Sequence, residues 1–183
     1  MWLNCPRAER KGYVRRCLLK SMYLGHEEIL RRIREERLLE GVDEANVQGA
    51  GVDLRIDRLY DITSPAALGR EERTLPELRE IEGERYLLKP GKYYLCTTLE
   101  RVNMPRDLVA FMFQRSTLFR CGITLRTAVI DPGYRGVLTV GIKNEGSFEF
   151  TLERGSRIAQ VVFARVEGNA KAYEGRYQGG RVR

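Results

Sequence analysis

The alternation of hydrophobic and polar positions changes period once along this chain. From residue 25 to 39, GHEEILRRIREERLL sets Ile29, Leu30, Ile33 and then Leu38 at helical spacing, with Glu27 and Glu28 four residues ahead of Arg31 and Arg32. The pattern predicts an amphipathic helix that ends near Gly41 and packs on the body of the protein. After Gly51 the apolar runs become short: VDLRID, YLLKPGKYYLCTTLERV, LVAFMF, GITLRTAVI, GVLTVGI, FEFTL and RIAQVVFARV, each bounded by Gly, Pro, Asn or Asp. Bounded runs of this kind predict an all-β sandwich or barrel. Residues 64 to 83, rich in charge and carrying Pro65 and Pro76, read as a long loop or excursion. The expected fold is mainly β, with one N-terminal helix and no internal repeat.

A chain of 183 residues holds one domain with a sizeable core. The net charge of +7 is unevenly spread. Residues 1 to 21 carry six Lys or Arg against one Glu, residues 165 to 183 carry five against two, and the span between them carries 21 against 22. The expected organisation is therefore a basic N-terminal arm (1–21), a charge-balanced β domain (22–164) and a flexible, Gly-rich C-terminal lid (165–183). A duplex-binding domain shows a basic stripe on its folded body. None is expected here, which leaves only the arms as a surface for nucleic acid.

The four cysteines form no CxxC pair, and a single histidine, His26, leaves few partners for a zinc site. Cys96 and Cys121 sit in apolar runs and read as small buried hydrophobes in a reducing compartment; a Cys5–Cys17 disulfide stays open. With no apolar run of spanning length and no signal-peptide core, the expected location is the cytoplasm and no membrane partner is expected.

Four motifs recur in a telling order: GAGVDLRI (49–56), FQRSTLFRCG (113–122), IDPGYRG (130–136) and RGSRIAQVVF (154–163). In this order they resemble the superfamily of trimeric dUTPases and dCTP deaminases, whose fold is a distorted jelly roll or β-barrel. The stretch from 90 to 123 is similar to the deaminase branch, whereas TAVIDPGYRG and RGSRIAQVVF are similar to both.

The resemblance implies a homotrimer with sites between subunits. A triphosphate needs guanidinium forks and hydroxyls. Arg115, Ser116, Thr117 and Arg120 stand at one strand end, and Gln160 would reach the phosphates from a neighbouring chain. An ion pair with Asp53 is the other use for Arg115. The hairpin around Thr127, Ala128, Val129 and Ile130 would read a pyrimidine through its backbone. Tyr134 would pack on the deoxyribose; otherwise it simply packs at a turn. Asp131 would deprotonate the water that attacks the α-phosphorus. Mg²⁺ would bind through the substrate phosphates and needs no dedicated protein ligands. In the tail YEGRYQGGRVR, which looks like the YQG lid of deaminases, Tyr177, Gln178 and Arg181 are the candidate lid residues.

One position separates the branches. Deamination needs a group that shuttles protons at the exocyclic amine, and the deaminase branch has a Glu ten residues after the Asp that matches Asp131. Here that residue is Gly141. Asp131 also follows Gly122 by nine residues, two fewer than in the deaminases. Both departures favour hydrolysis of dUTP to dUMP and diphosphate. A dCTP deaminase, with or without dUTPase activity, is the rival enzyme, and a non-catalytic nucleotide-binding regulator is the third reading.

Overall fold

The computed structural model describes residues 22–182; the basic arm, with Cys5 and Cys17, lies outside the described residues. Helix α1 (His26–Glu36) forms where the apolar period falls near 3.6, and its Ile29 is fully buried against the sheet. Removing water from a side chain of that size contributes about 1.5–3 kcal/mol. Arg37, in a left-handed conformation, ends the helix and turns the chain into β1 (Leu39–Glu40). The expected Glu28–Arg32 pair forms at 3.3 Å, but Arg31 turns to Glu28, Glu35 and Glu36. Arg32 is buried and reaches Asp107 and Glu36, fastening the helix to the β domain.

The strands that follow are β2 (Val52–Ile62), β3 (Ala67–Leu68), β4 (Arg73–Thr74), β5 (Leu78–Ile81), β6 (Arg85–Leu88), β7 (Tyr93–Asn103) and β8 (Leu108–Gln114). After the short helix α2 (Ser116–Arg120) come β9 (Ile123–Arg126), β10 (Val129–Ile130), β11 (Arg135–Asn144), β12 (Phe150–Glu153) and β13 (Arg157–Arg165). One nine-stranded sheet runs β10-β8-β13-β2-β7-β11-β9, with β1 on β7 and β5 on β2. Two small ribbons, β12-β6 and β3-β4, lie outside it.

The order of that sheet dictates its shape. β9 and β10 are its two ends, yet only Thr127 and Ala128 separate them in the chain. The three Cα-to-Cα steps from Arg126 to Val129 span about 11 Å at most, so the sheet must curl until its ends come close. The inside of this curl is the core, built from Leu54, Ile56 and Leu59 of β2, Leu108 and Ala110 of β8, Ile142 of β11, and Ile158, Val161 and Phe163 of β13.

Four expectations need correction. The run from 122 to 130 is not one arm of a simple hairpin: β9 pairs with β11 while β10 pairs with β8. The run from 86 to 102 breaks at Pro90–Gly91 into β6 and β7, because Pro lacks a ladder donor. Residues 64 to 83 are not a bare loop: they hold β3, β4 and β5, and β5 adds to β2. Cys121 is exposed, since it caps α2 instead of lying in a strand, whereas Cys96 is fully buried as expected.

Candidate functional site

At the seam where the sheet ends approach lies a cavity of about 460 Å³. Thr127, Ala128, Val129, Ile130 and Asp131 line it from the connecting link, joined by Met112 of β8, Leu95 of β7 and Leu138, Thr139 and Val140 of β11. Leu75, Pro76 and Leu78 close one side from the excursion, and Tyr173, Tyr177, Arg181 and Val182 close another from the tail. All five base-site and sugar-site candidates from the sequence, with Asp131, Tyr177 and Arg181, therefore meet at one place.

The link is held at both ends. Thr127 Oγ1 donates to the Met112 carbonyl at 2.9 Å, and Leu125 N donates to Gln114 Oε1 at 2.9 Å. Asp131, beyond Ile130, is exposed on the cavity wall. It is the one carboxylate among the lining residues, and no salt bridge engages it among the described residues. A free, hydrated carboxylate can accept a proton from a neighbouring water.

Tyr134 is buried, and its hydroxyl donates to the Val137 carbonyl at 2.6 Å. Burial pushes its phenol pKa up, so it remains a neutral hydrogen-bonding and packing group. Its ring meets Tyr173 edge to face at 5.5 Å between centroids. Tyr173 was not singled out from the sequence, where the Gly-rich, basic tail drew attention to Tyr177, Gln178 and Arg181 instead.

Gln178 fastens the tail to the same chain. Its Oε1 accepts from Arg135 N at 2.8 Å and its Nε2 donates to the Gly133 carbonyl at 3.0 Å, while Gly179 N donates to the Arg135 carbonyl at 2.8 Å. Gly136 makes this docking possible: a Cβ there would lie 2.3 Å from Gly180 N.

The triphosphate candidates stand elsewhere. Arg115 precedes α2, Ser116 and Thr117 open it, and Arg120 ends it with its guanidinium over the Phe119 ring. Gln160 is half-buried on β13, opposite Phe113 of β8. Arg115 Nη1 pairs with Asp53 Oδ2 at 3.1 Å, and the buried Asp53 carboxylate also takes Arg157 at 3.3 Å. The alternative use of Arg115 as an ion-pair partner is thus realised. None of Arg115, Ser116, Thr117, Arg120 and Gln160 lines the cavity of its own chain.

Around Gly141 the space is filled by a phenol. A Cβ on residue 141 would lie 1.8 Å from Tyr93 Oη and 2.4 Å from its Cζ. Burial pushes the Tyr93 pKa up, so this group is no base at neutral pH. Among the described residues, no carboxylate lines the cavity besides Asp131. Among the described residues no three His, Cys, Asp or Glu side chains are grouped to hold a metal.

A family model described as dCTP deaminase-like matches residues 23–166. A probable deoxyuridine 5'-triphosphate nucleotidohydrolase of Methanothermobacter thermautotrophicus is 43% identical over 135 residues, covering 74% of this chain and 89% of that relative. A dCTP deaminase of Pyrococcus furiosus is 37% identical over 150 residues, covering 81% and 88%. Among solved structures, the 2'-deoxycytidine 5'-triphosphate deaminase from Agrobacterium tumefaciens superposes with a TM-score of 0.66 at 24% identity, over 79% of this chain and 48% of that one. That superposition bears out the curled, mainly β fold.

Proposed function

The chain belongs to the dCTP deaminase-like family, and within that family we propose that it is a dUTP diphosphatase, hydrolysing dUTP to dUMP and diphosphate. One observation carries the reading: Asp131 stands free on the cavity wall, while the place of a deaminating carboxylate at residue 141 is a glycine covered by the Tyr93 phenol. The first feature suits activation of a water at phosphorus, and the second removes the proton shuttle that loss of ammonia requires.

In this mechanism the backbone of residues 127–130 reads the edge of uracil and Tyr134 packs on the deoxyribose. Asp131 takes a proton from a water held near the α-phosphorus; the water oxygen bonds to phosphorus as the bond to the β-phosphate oxygen breaks, and diphosphate leaves. The phosphates need cations, and among the described residues the cavity of one chain supplies only Arg181. Arg115, Ser116, Thr117, Arg120 and Gln160 of neighbouring chains complete the site in a homotrimer. The exposed Phe113 (59%) and Phe119 (52%) beside this cluster are apolar surface suited to such an interface. Mg²⁺ fits a donor set in which the cavity offers one carboxylate, because the nucleotide's own oxygens would hold it. When bound, it neutralises phosphate charge. The tail from Tyr173 to Val182 is the lid, and the fully buried Cys96 thiol fits a cytoplasmic setting.

Incubation with dUTP and, separately, dCTP tests the proposal. Diphosphate and dUMP from dUTP, without ammonia from dCTP, is the expected result; ammonia from dCTP overturns it. The second reading, deamination, is favoured by the docked Tyr-Gln-Gly tail, in which Gln178 makes the lid contacts.

A further inference from the structure

Among the described residues, two buried side-chain polar atoms have no hydrogen-bond partner: Arg165 Nε and Thr139 Oγ1. Arg165 bonds through another nitrogen to Glu28. Thr139 has one polar side-chain atom, and it is the orphan. The residue belongs to the cavity wall, flanked by Leu138 and Val140, and is the polar residue that β11 contributes to the lining.

A buried hydroxyl without a partner costs roughly 1–3 kcal/mol, so its retention on the wall of a ligand-sized cavity calls for a use. The local backbone supports one. The β11–β7 ladder shifts register between Val137 and Thr139, and Leu138 N leaves the regular pattern to take Thr98 Oγ1 as its acceptor at 3.0 Å. An irregularity of this type re-aims the side chains beyond it. From there the strand is regular, so Thr139 and Gly141 share one face.

We propose that Thr139 is a specificity-determining residue whose hydroxyl, tucked into the cavity wall, turns on binding to bond the polar edge of the pyrimidine. This rests on the proposed reading of the cavity as a pyrimidine nucleotide site. Threonine in a strand has more than one accessible χ1 well, and a turn of about 120° exchanges Oγ1 with another substituent of Cβ. Because Oγ1 has no hydrogen-bond partner among the described residues, the turn breaks no bond within the chain. A hydroxyl both donates and accepts, so it can serve a ring carbonyl or a ring N–H. Backbone groups of the 127–130 link read the base by shape and register, and Thr139 adds a side-chain contact from β11.

Thr139→Val and Thr139→Ser test the proposal, with dUTP as substrate and the full chain throughout. Valine keeps the shape and removes the hydroxyl: the expected result is a Tm unchanged or raised, a KM for dUTP raised by about tenfold, and kcat within about twofold. Serine restores the KM to near wild type. A valine variant with unchanged KM overturns the proposal, as does one with lowered Tm, which would show that the hydroxyl is already bonded. A serine variant as weak as valine also overturns it. If wild type itself turns over no dUTP, the proposed function falls and this inference with it; if wild type is active and valine is indistinguishable from it, only this inference falls.

Discussion

Tyr93 lies across the bare α-carbon of Gly141, its hydroxyl oxygen 1.8 Å from where a Cβ would stand. The two residues sit on neighbouring strands, Tyr93 opposite Lys143, so the ring reaches diagonally over the glycine. Any side chain at 141 must displace that ring. Gly141→Ala should cost about 1–3 kcal/mol in denaturant unfolding. Pairing it with Tyr93→Ala should recover part of that loss, a coupling that a double-mutant cycle measures. Additive costs would mean that the ring and the glycine are independent.

Asp131→Asn keeps size and hydrogen bonding but removes the base. Hydrolysis of dUTP should fall by about 10²–10⁴-fold, with the Kd for an unhydrolysable dUTP analogue changed only a few fold. A variant retaining the full rate would remove Asp131 from the mechanism.

Arg115→Ala should raise the KM for dUTP. The two defects should also complement: chains carrying Arg115→Ala mixed equally with chains carrying Asp131→Asn should recover on the order of a quarter of wild-type activity if each site draws on two subunits. No recovery, with mixed trimers confirmed by mass, would put both residues' roles within one chain.

Gln178→Ala removes both side-chain hydrogen bonds from the lid to the 133–135 turn and leaves the backbone bond of Gly179 to Arg135. The KM for dUTP should rise several fold, and amide exchange should quicken across residues 173–182.

Glu28 gives a pH dependence with a defined sign. Hydrogen bonding from Arg31, the largest cause, and then from Arg32 and Arg165, holds its carboxyl down at about 2 against an ordinary 4.5. A depressed folded-state pKa contributes stability above the unfolded value and loses it as pH falls from about 4.5 towards 2. Unfolding midpoints should drop across that window, and Glu28→Gln should flatten the drop.

What was legible in the sequence depended on how local the cause was. α1 could be read because Ile29, Leu30 and Ile33 fall at helical spacing on one face, and most strands because their runs end at Gly or Pro. The five residues of α2 are too few to show a period. The break after Arg126 was invisible because ITLRTAVI is continuous in type, and its two halves part only when they meet β11 and β8. The base, sugar and catalytic candidates were legible through motifs and do converge on one cavity. Leu75, Pro76 and Leu78 were hidden by the charges around them, and Tyr173 by the glycines of the tail. Thr139 carried no signal at all, since an orphan hydroxyl exists only once its neighbours are in place.

The two-residue link of Thr127 and Ala128 does double duty: it is the clasp that fastens one end of the curled sheet to the other, and it is part of the surface a nucleotide would grip. Occupancy and cooperativity of folding are then one equilibrium. Ligand at a hundred times its Kd should lift global stability by about 2.7 kcal/mol. That gain should register in the amides of β8 and β11, on both sides of the clasp, and not merely in the residues that touch the ligand.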